Sequence, residues 1–219
     1  MVYISLYDFY SKIIPINEFI IQASEISGND KNEKTRYSIG LSFSILNISN
    51  KEKLDIQIGS HQNLLFSSFN YDTDRKRRGG EKINRRIIHN NLFKNGIKNY
   101  KIPYIDYINM LSKYKFIISP EGNGIDCHRH YEAILCGCIP IIEYNKDIEK
   151  KYDGLPVLYT NDYSEITPKY LNQIYKKMLF KKYNYSKLMV SYYSLTERNE
   201  IREKGNYWSN FFVKKKAYF

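Results

Sequence analysis

Lys115 to Ile142 reads KFIISPEGNGIDCHRHYEAILCGCIPII, and the character of the chain changes several times along it. Phe116-Ile117-Ile118, bounded by Ser119 and Pro120, is a short apolar run suited to a buried strand. Glu121-Gly122-Asn123-Gly124 follows as a loop, whose two glycines permit positive φ and a close backbone approach to a ligand. Asp126 stands where a helix N-cap is expected, and Tyr131, Ile134 and Leu135 repeat at the spacing of a helix face. Gly137 suits the C′ position, and Ile139-Pro140-Ile141-Ile142 restarts an apolar strand. Strand, glycine loop, helix, strand is half of a doubly wound nucleotide-binding sheet.

Such a unit favours an anion. A glycine loop entering a helix offers unpaired N–H groups and the positive end of the helix dipole. His128 and Arg129 lie in the first helical turn, where a cation is unfavourable unless a negative ligand is near. Arg129 has a planar fork that matches phosphate oxygens, and Glu132, one turn on, suits a pair of ribose hydroxyls. The same spacing also describes an exposed ion pair on a solvated helix. Neither G-x-G-x-x-G nor a P-loop lysine is present, so the dinucleotide and NTPase fingerprints are absent.

The segment SPEGNGIDCHRHYEAILCGCIPII resembles the donor-site segment of exostosin-like glycosyltransferases and related GT-B enzymes of bacteria and giant viruses. Arg129, Glu132, Ala133, Gly137, Cys138, Ile139 and Pro140 follow the order of that family's pattern, and KDIEKKYDGLPVLYTNDYSEITPKYL resembles its continuation. The likeness extends from about Asn63 to Ser194. It implies an α/β, Rossmann-like parallel sheet with helices on both faces, and a site binding a nucleotide-sugar, UDP-linked by preference. It further implies transfer of the sugar to a glycan or glycoprotein acceptor without a divalent metal or other cofactor. Gly122, Asn123, Gly124, His128, Arg129 and Glu132 are the implied donor-binding residues.

With 219 residues, 42% hydrophobic and 26% charged, the chain is long enough to bury a core and ordinary for a globular protein. Its net charge of +11 favours acidic partners: nucleotides, nucleic acid or an anionic membrane. The basic residues are scattered, however, and no nucleic-acid module is recognisable, so a stable nucleic-acid partner is not expected. Cys127, Cys136 and Cys138 lack zinc-site spacing and read as small packing residues of a reducing compartment. No transmembrane run or basic-then-apolar leader is visible, which points to the cytoplasm.

Three regions are expected: 1–60 as a reduced acceptor-side region, 61–200 as the nucleotide-sugar-binding domain, and 201–219 as an aromatic-basic tail. In the first, Val2 to Leu6 suggests a strand, Asn17 to Ser24 a short helix, Asn29 to Lys34 a polar loop, and Tyr37 to Ile48 a strand. Strands are expected at Leu64–Phe69, Tyr100–Ile102 and Leu155–Tyr159. Helices are expected over Gly80–Asn95 and Tyr104–Tyr114, from Thr167-Pro168 to about Lys182, and from Ser186 to near Gly205. Lys214 to Lys216, flanked by aromatics, read mainly as a frayed basic end, with contact to a membrane or an acidic partner as the lesser alternative.

Arg75-Lys76-Arg77-Arg78 follows the first clear strand, at the end where parallel sheets bind ligands, so Arg75 or Arg78 is a candidate for neutralising a diphosphate. Asp72-Thr73-Asp74 forms D-x-D, a possible divalent-metal pair opposed by the four adjacent cations. His61 and His130 read as solvated, and Asp126 as a structural cap. The functions to weigh are a glycosyltransferase with an unassigned catalytic base, a nucleotide-binding relic without turnover, and a basic nucleic-acid-binding protein.

Overall fold

The computed structural model describes residues 14–23, 37–48, 56–146 and 148–219. Four parallel strands, β1 (Asn63–Ser67), β2 (Tyr114–Ile118), β3 (Ile139–Glu143) and β4 (Leu158–Thr160), lie side by side in chain order. Leu65 is in register with Phe116, Phe116 with Ile139, and Ile141 with Leu158. Because strands are added in one direction only, the described sheet has no switch point of the kind that opens a crevice in doubly wound folds.

Seven α-helices accompany the sheet among the described residues: α1 (Arg75–Arg78), α2 (Arg85–Lys94), α3 (Tyr104–Leu111), α4 (His128–Leu135), α5 (Glu149–Tyr152), α6 (Pro168–Met178) and α7 (Leu195–Val213). Alternating strand residues face opposite ways. Ile117 and Ile142 pack in one buried cluster with Tyr107, Ile108 and Leu111 of α3, Tyr131, Ile134 and Leu135 of α4, and Tyr152 of α5. Phe116, Ile118, Ile139 and Ile141 pack in another with Ile88 and Leu92 of α2 and Leu171, Tyr175 and Met178 of α6. Helices therefore cover both faces, and the all-parallel α/β class expected from the sequence is present.

Local signals account for several boundaries. Asn84 caps α2, its side chain accepting from the Arg86 and Ile87 amides, so that helix begins five residues later than Gly80. Thr167 caps α6 through the Tyr170 amide, with Pro168 in the first turn, as expected. Gly137, at φ +66°, closes α4 in a Schellman motif: its N–H donates to Ile134 O and the Cys138 N–H to Ala133 O. Tyr100–Ile102 forms no strand, and the segment after Ser186 forms two 3₁₀ turns before α7 starts at the Ser194–Glu197 capping box. That helix passes through Gly205 to Val213 rather than ending near it.

The strand expected from Val2 to Leu6 and the loop expected at 29–34 lie outside the described residues. Ile16–Glu18 is one 3₁₀ turn, not a longer helix, and Phe43–Asn47 is 3₁₀ where a strand was expected. Of the described residues between them, Phe19 to Ala23 are buried: Phe19 bridges Met189, Ile21 bridges Leu41, and the Tyr218 O–H donates to Phe19 O at 3.0 Å. The chain's last residues are thus tied to its early ones. Tyr218 is buried, which excludes a frayed end at that residue.

Candidate functional site

At the carboxyl edge of the sheet, the loop after β2 meets α1, the start of α2 and the end of β3. Arg78 is only 4% exposed. Its Nε donates to Asp74 Oδ2 at 3.0 Å, Nη1 to Glu121 Oε2 at 3.2 Å and to Glu143 Oε1 at 3.0 Å, and Nη2 to Glu143 Oε1 and the Glu121 carbonyl. Burial opposes its charge, but Glu143, Glu121 and Asp74 outweigh that and hold its pKa above the ordinary value. Arg77 adds a 2.7 Å contact to Glu121, and Tyr163 donates to Glu143 Oε2 at 2.8 Å. Burial, followed by repulsion from Glu143, still pushes the Glu121 carboxyl upward.

This knot corrects several expectations. Arg78 is committed to three carboxylates and is not free to neutralise a diphosphate. Arg75 is exposed on the outer side of α1. Asp74 accepts from Arg78 and from the Arg85 amide, while Asp72 pairs with Arg86 at 2.6 Å, so the two D-x-D carboxylates serve different arginines. No group of three metal-ligating side chains occurs among the described residues.

The loop's amides are also partly used. The Glu121 N–H donates to Glu143 Oε2 and the Gly122 N–H to Gly124 O, while Asn123 is exposed at the tip. Neither Gly122 nor Gly124 has positive φ. Gly122 is needed for close approach instead, because a Cβ there would sit 3.1 Å from Arg85 Nη2. The neighbour that a side chain there would crowd is a guanidinium of the chain itself.

Asp126 is not the cap of α4. Cys127 takes that position without a side-chain cap bond. Buried Asp126 instead accepts from the Ile39 amide at 3.0 Å, Tyr131 O–H at 2.6 Å, Tyr152 O–H at 2.7 Å and Lys151 Nζ at 3.2 Å. Burial works against its charge, but Lys151 and these donors hold the carboxyl below its usual range. Two further residues of the motif grip the same early segment. His128 Nδ1 donates to Gly40 O at 2.7 Å, and Glu132 accepts from the Ser42 amide and from Tyr104 O–H at 2.8 Å. Glu132 is 2% exposed, so it does not share an open helix face with Arg129, and the two form no ion pair. Burial pushes the Glu132 carboxyl up.

His130 and His61 are buried rather than solvated. His130 Nε2 faces Ser119 O at 2.9 Å and must donate to it, and Nδ1 lies 2.8 Å from the Tyr152 hydroxyl oxygen. Burial lowers its pKa to about 4. Burial also lowers that of His128. With Nδ1–H on Gly40, His128 carries its lone pair on Nε2 and can accept a proton there. Cys127, Cys136 and Cys138 are free thiols, and burial pushes Cys127 up to about 12.

Near the start of α4, two guanidiniums stand apart from the ion pairs. Half-buried Arg129 donates from Nη1 to Ser68 O, just past β1, and lies 4.3 Å above the Tyr107 ring. Buried Arg85 donates to the carbonyls of Glu121, Asn70 and Pro120 at 2.6, 2.9 and 2.8 Å. Among the described residues neither forms an ion pair. Burial lowers the Arg85 pKa, and Arg129 lowers it further, against upward pulls from Cys127, Glu143 and Asp74. Both guanidiniums lie next to the uncapped start of α4, where the helix dipole is positive. Arg129 was legible from its place in the first helical turn. Arg85 was not, although its place directly after the cap residue Asn84 was a usable signal. Glu121 and Glu143, which stand where apolar strands end, were missed as well.

The architecture and this edge define a Rossmann-like α/β protein with a four-stranded all-parallel sheet. No family model and no curated protein matches the chain. No helix of the described residues is long and apolar enough to cross a membrane.

Proposed function

We propose that the chain is a glycosyltransferase that holds the diphosphate of a nucleotide-sugar, UDP-linked by preference, at the start of α4. The observation that carries this reading is the Arg129–Arg85 pair: two guanidiniums that form no ion pair among the described residues, beside a helix start that no side chain caps. Arg129 is half-buried and keeps N–H donors beyond the one given to Ser68, so its fork is available to phosphate oxygens. As the bond between the anomeric carbon and the diphosphate oxygen breaks, negative charge grows on that oxygen. Arg129 and the first-turn amides would stabilise it without reorganising. The acceptor hydroxyl of a glycan or glycoprotein bonds to the anomeric carbon, and its proton passes to a base on the acceptor side. Glu132 acts indirectly in this scheme, holding Ser42 and therefore the 39–42 segment against α4.

A second reading draws on a separate observation. Asp126, His128 and Glu132 all bind the chain's own 39–42 segment, which is what a retained scaffold without turnover would do. Calorimetric titration with UDP separates these readings from simple charge attraction, with GDP and a short oligonucleotide as controls. UDP binding that disappears in Arg129→Ala, followed by sugar transfer from a UDP-sugar, is the expected result. Binding without transfer or donor hydrolysis supports the scaffold reading, and no nucleotide binding overturns both.

A further inference from the structure

The far end of α7 carries a surface that the donor site does not explain. Lys204 to Phe219 contains six aromatic residues, four lysines and no aspartate or glutamate. Tyr207 is 59% exposed, Phe211 57% and Phe212 46%. Their rings pack on one another: Tyr207 on Phe211 with centroids 6.3 Å apart, Trp208 on Phe212 at 5.9 Å, and Phe211 edge-on to Phe212 at 4.9 Å. Phe43, from the 3₁₀ turn at Phe43–Asn47, stacks on Phe212 at 4.9 Å and widens the patch. Lys214 then ends the helix in the left-handed conformation, at φ 56°. The lysine run that follows is held in place, because Lys215 Nζ reaches Leu46 O at 3.3 Å and buried Tyr218 anchors the chain beyond it. Lys214, Lys215 and Lys216 are exposed and form no ion pair among the described residues.

We propose that this aromatic cluster and the Lys214–Lys216 run dock the protein on an anionic phospholipid surface. Exposed aromatics in contact with one another are costly in water and mark a binding surface. Aromatic rings settle at the level of lipid headgroups, and lysines beside them reach headgroup phosphates while their stems stay in the apolar layer. Charge decides among the occupants. A second copy would bring the same lysines face to face on chains of net charge +11. Nucleic acid would need open ring faces on which bases could stack. Here Tyr207 meets Trp208 at 82° and Phe211 meets Phe212 at 74°, so ring edges occupy part of the faces on which bases would stack. An acid-free, lysine-edged apolar wedge fits a negative membrane surface.

Trp208 is the chain's single tryptophan and lies within the cluster, so its emission reports on this surface alone. The full chain is to be mixed with phosphatidylcholine vesicles or with vesicles that also contain phosphatidylserine. A blue shift, quenching by brominated acyl chains and co-sedimentation are expected with the phosphatidylserine vesicles at low salt, and little change with phosphatidylcholine alone. Replacing Lys214, Lys215 and Lys216 by Gln should weaken partitioning about a hundredfold, from about 1 kcal/mol per lysine. Tyr207→Ser with Phe211→Ser should abolish the blue shift, and both variants change exposed side chains only. An unchanged spectrum with both vesicle types overturns the proposal. So does an oligonucleotide that shifts the emission when vesicles do not, or sedimentation that depends on protein concentration without lipid.

Discussion

Arg78 reaches Glu143 with both terminal nitrogens, each 3.0 Å from the same carboxylate oxygen. The other oxygen of Glu143 is taken by Tyr163 and by the Glu121 amide, so the end of β3, the loop after β2 and helix α1 share one buried charge network. Its geometry is set inside the protein, and a ligand would have to displace carboxylates to use it. In the proposed donor site the anion is met instead by Arg129 and Arg85, neither of which forms an ion pair among the described residues.

Arg78→Met leaves Glu121 and Glu143 buried beside each other without their common partner. A loss of about 3–5 kcal/mol in unfolding free energy is expected, as for one side of a buried pair removed. Urea denaturation followed by far-ultraviolet dichroism measures it. A variant as stable as the parent would mean that the network is open to water.

Arg129 and Glu132, adjacent on the helix, should fail in different ways. Arg129→Ala removes an unpaired cation and is expected to weaken UDP binding by tenfold or more while costing about 1 kcal/mol of stability through the lost Ser68 bond. Glu132→Ala leaves the Tyr104 hydroxyl and the Ser42 amide, on two half-buried residues, without their acceptor, which costs about 1 kcal/mol for each lost bond. Calorimetry and denaturation on both variants resolve the two roles. If Glu132→Ala lost affinity and kept its stability, the carboxylate would have to be reassigned to the ligand.

His130 makes stability depend on pH. Its folded pKa of about 4 lies below the ordinary histidine value, so between these values the unfolded chain binds the extra proton. Stability therefore falls as pH drops from about 6.5 toward 4, by roughly 3 kcal/mol from this residue. His128 acts in the same direction. Glu121 and Glu132, raised when folded, act oppositely: their contribution is present at low pH and is lost as pH rises through their folded pKa values. Asp126, lowered when folded, contributes above its unfolded pKa and loses that contribution only at more acid pH. The His130 share is isolated by comparing the slope of unfolding free energy against pH in the parent and in His130→Gln. The variant's slope between pH 6.5 and 4 should be shallower, and equal slopes would exclude a neutral buried His130.

What could be read from the sequence was what depends on near neighbours. Thr167-Pro168 and Gly137 declared a helix start and a helix end because each acts on amides or carbonyls a few residues away. The apolar runs of β2 and β3 and their parallel pairing followed from composition and order. Asp126 resembled a cap because its partners were invisible: Ile39 is 87 residues away, and Lys151 and Tyr152 lie on another helix. Arg78 looked like a ligand for phosphate because Glu121 and Glu143, 43 and 65 residues on, come to it only when the strands align. Arg129 stood out for the opposite reason, since a cation in a first helical turn is a local anomaly.

Gly205, in the middle of α7, tests how that helix is joined to the Phe19–Ile21 segment. A glycine in a helix interior normally costs about 0.5–1 kcal/mol relative to alanine, so Gly205→Ala would ordinarily stabilise the protein. A Cβ at this position, however, would lie 2.5 Å from Ile21 O and 2.6 Å from the Tyr218 ring. The Ile21 carbonyl is backbone within a buried segment that also binds Tyr218 through its N–H at 2.6 Å. Truncating Tyr218 cannot relieve that contact, and α7 must shift away from the early segment. Gly205→Ala is therefore expected to destabilise by about 1–3 kcal/mol, and Tyr218→Ala should not restore what is lost. Thermal unfolding of the single and double variants measures both effects. A higher melting temperature in Gly205→Ala would mean that α7 does not pack on Phe19–Ile21.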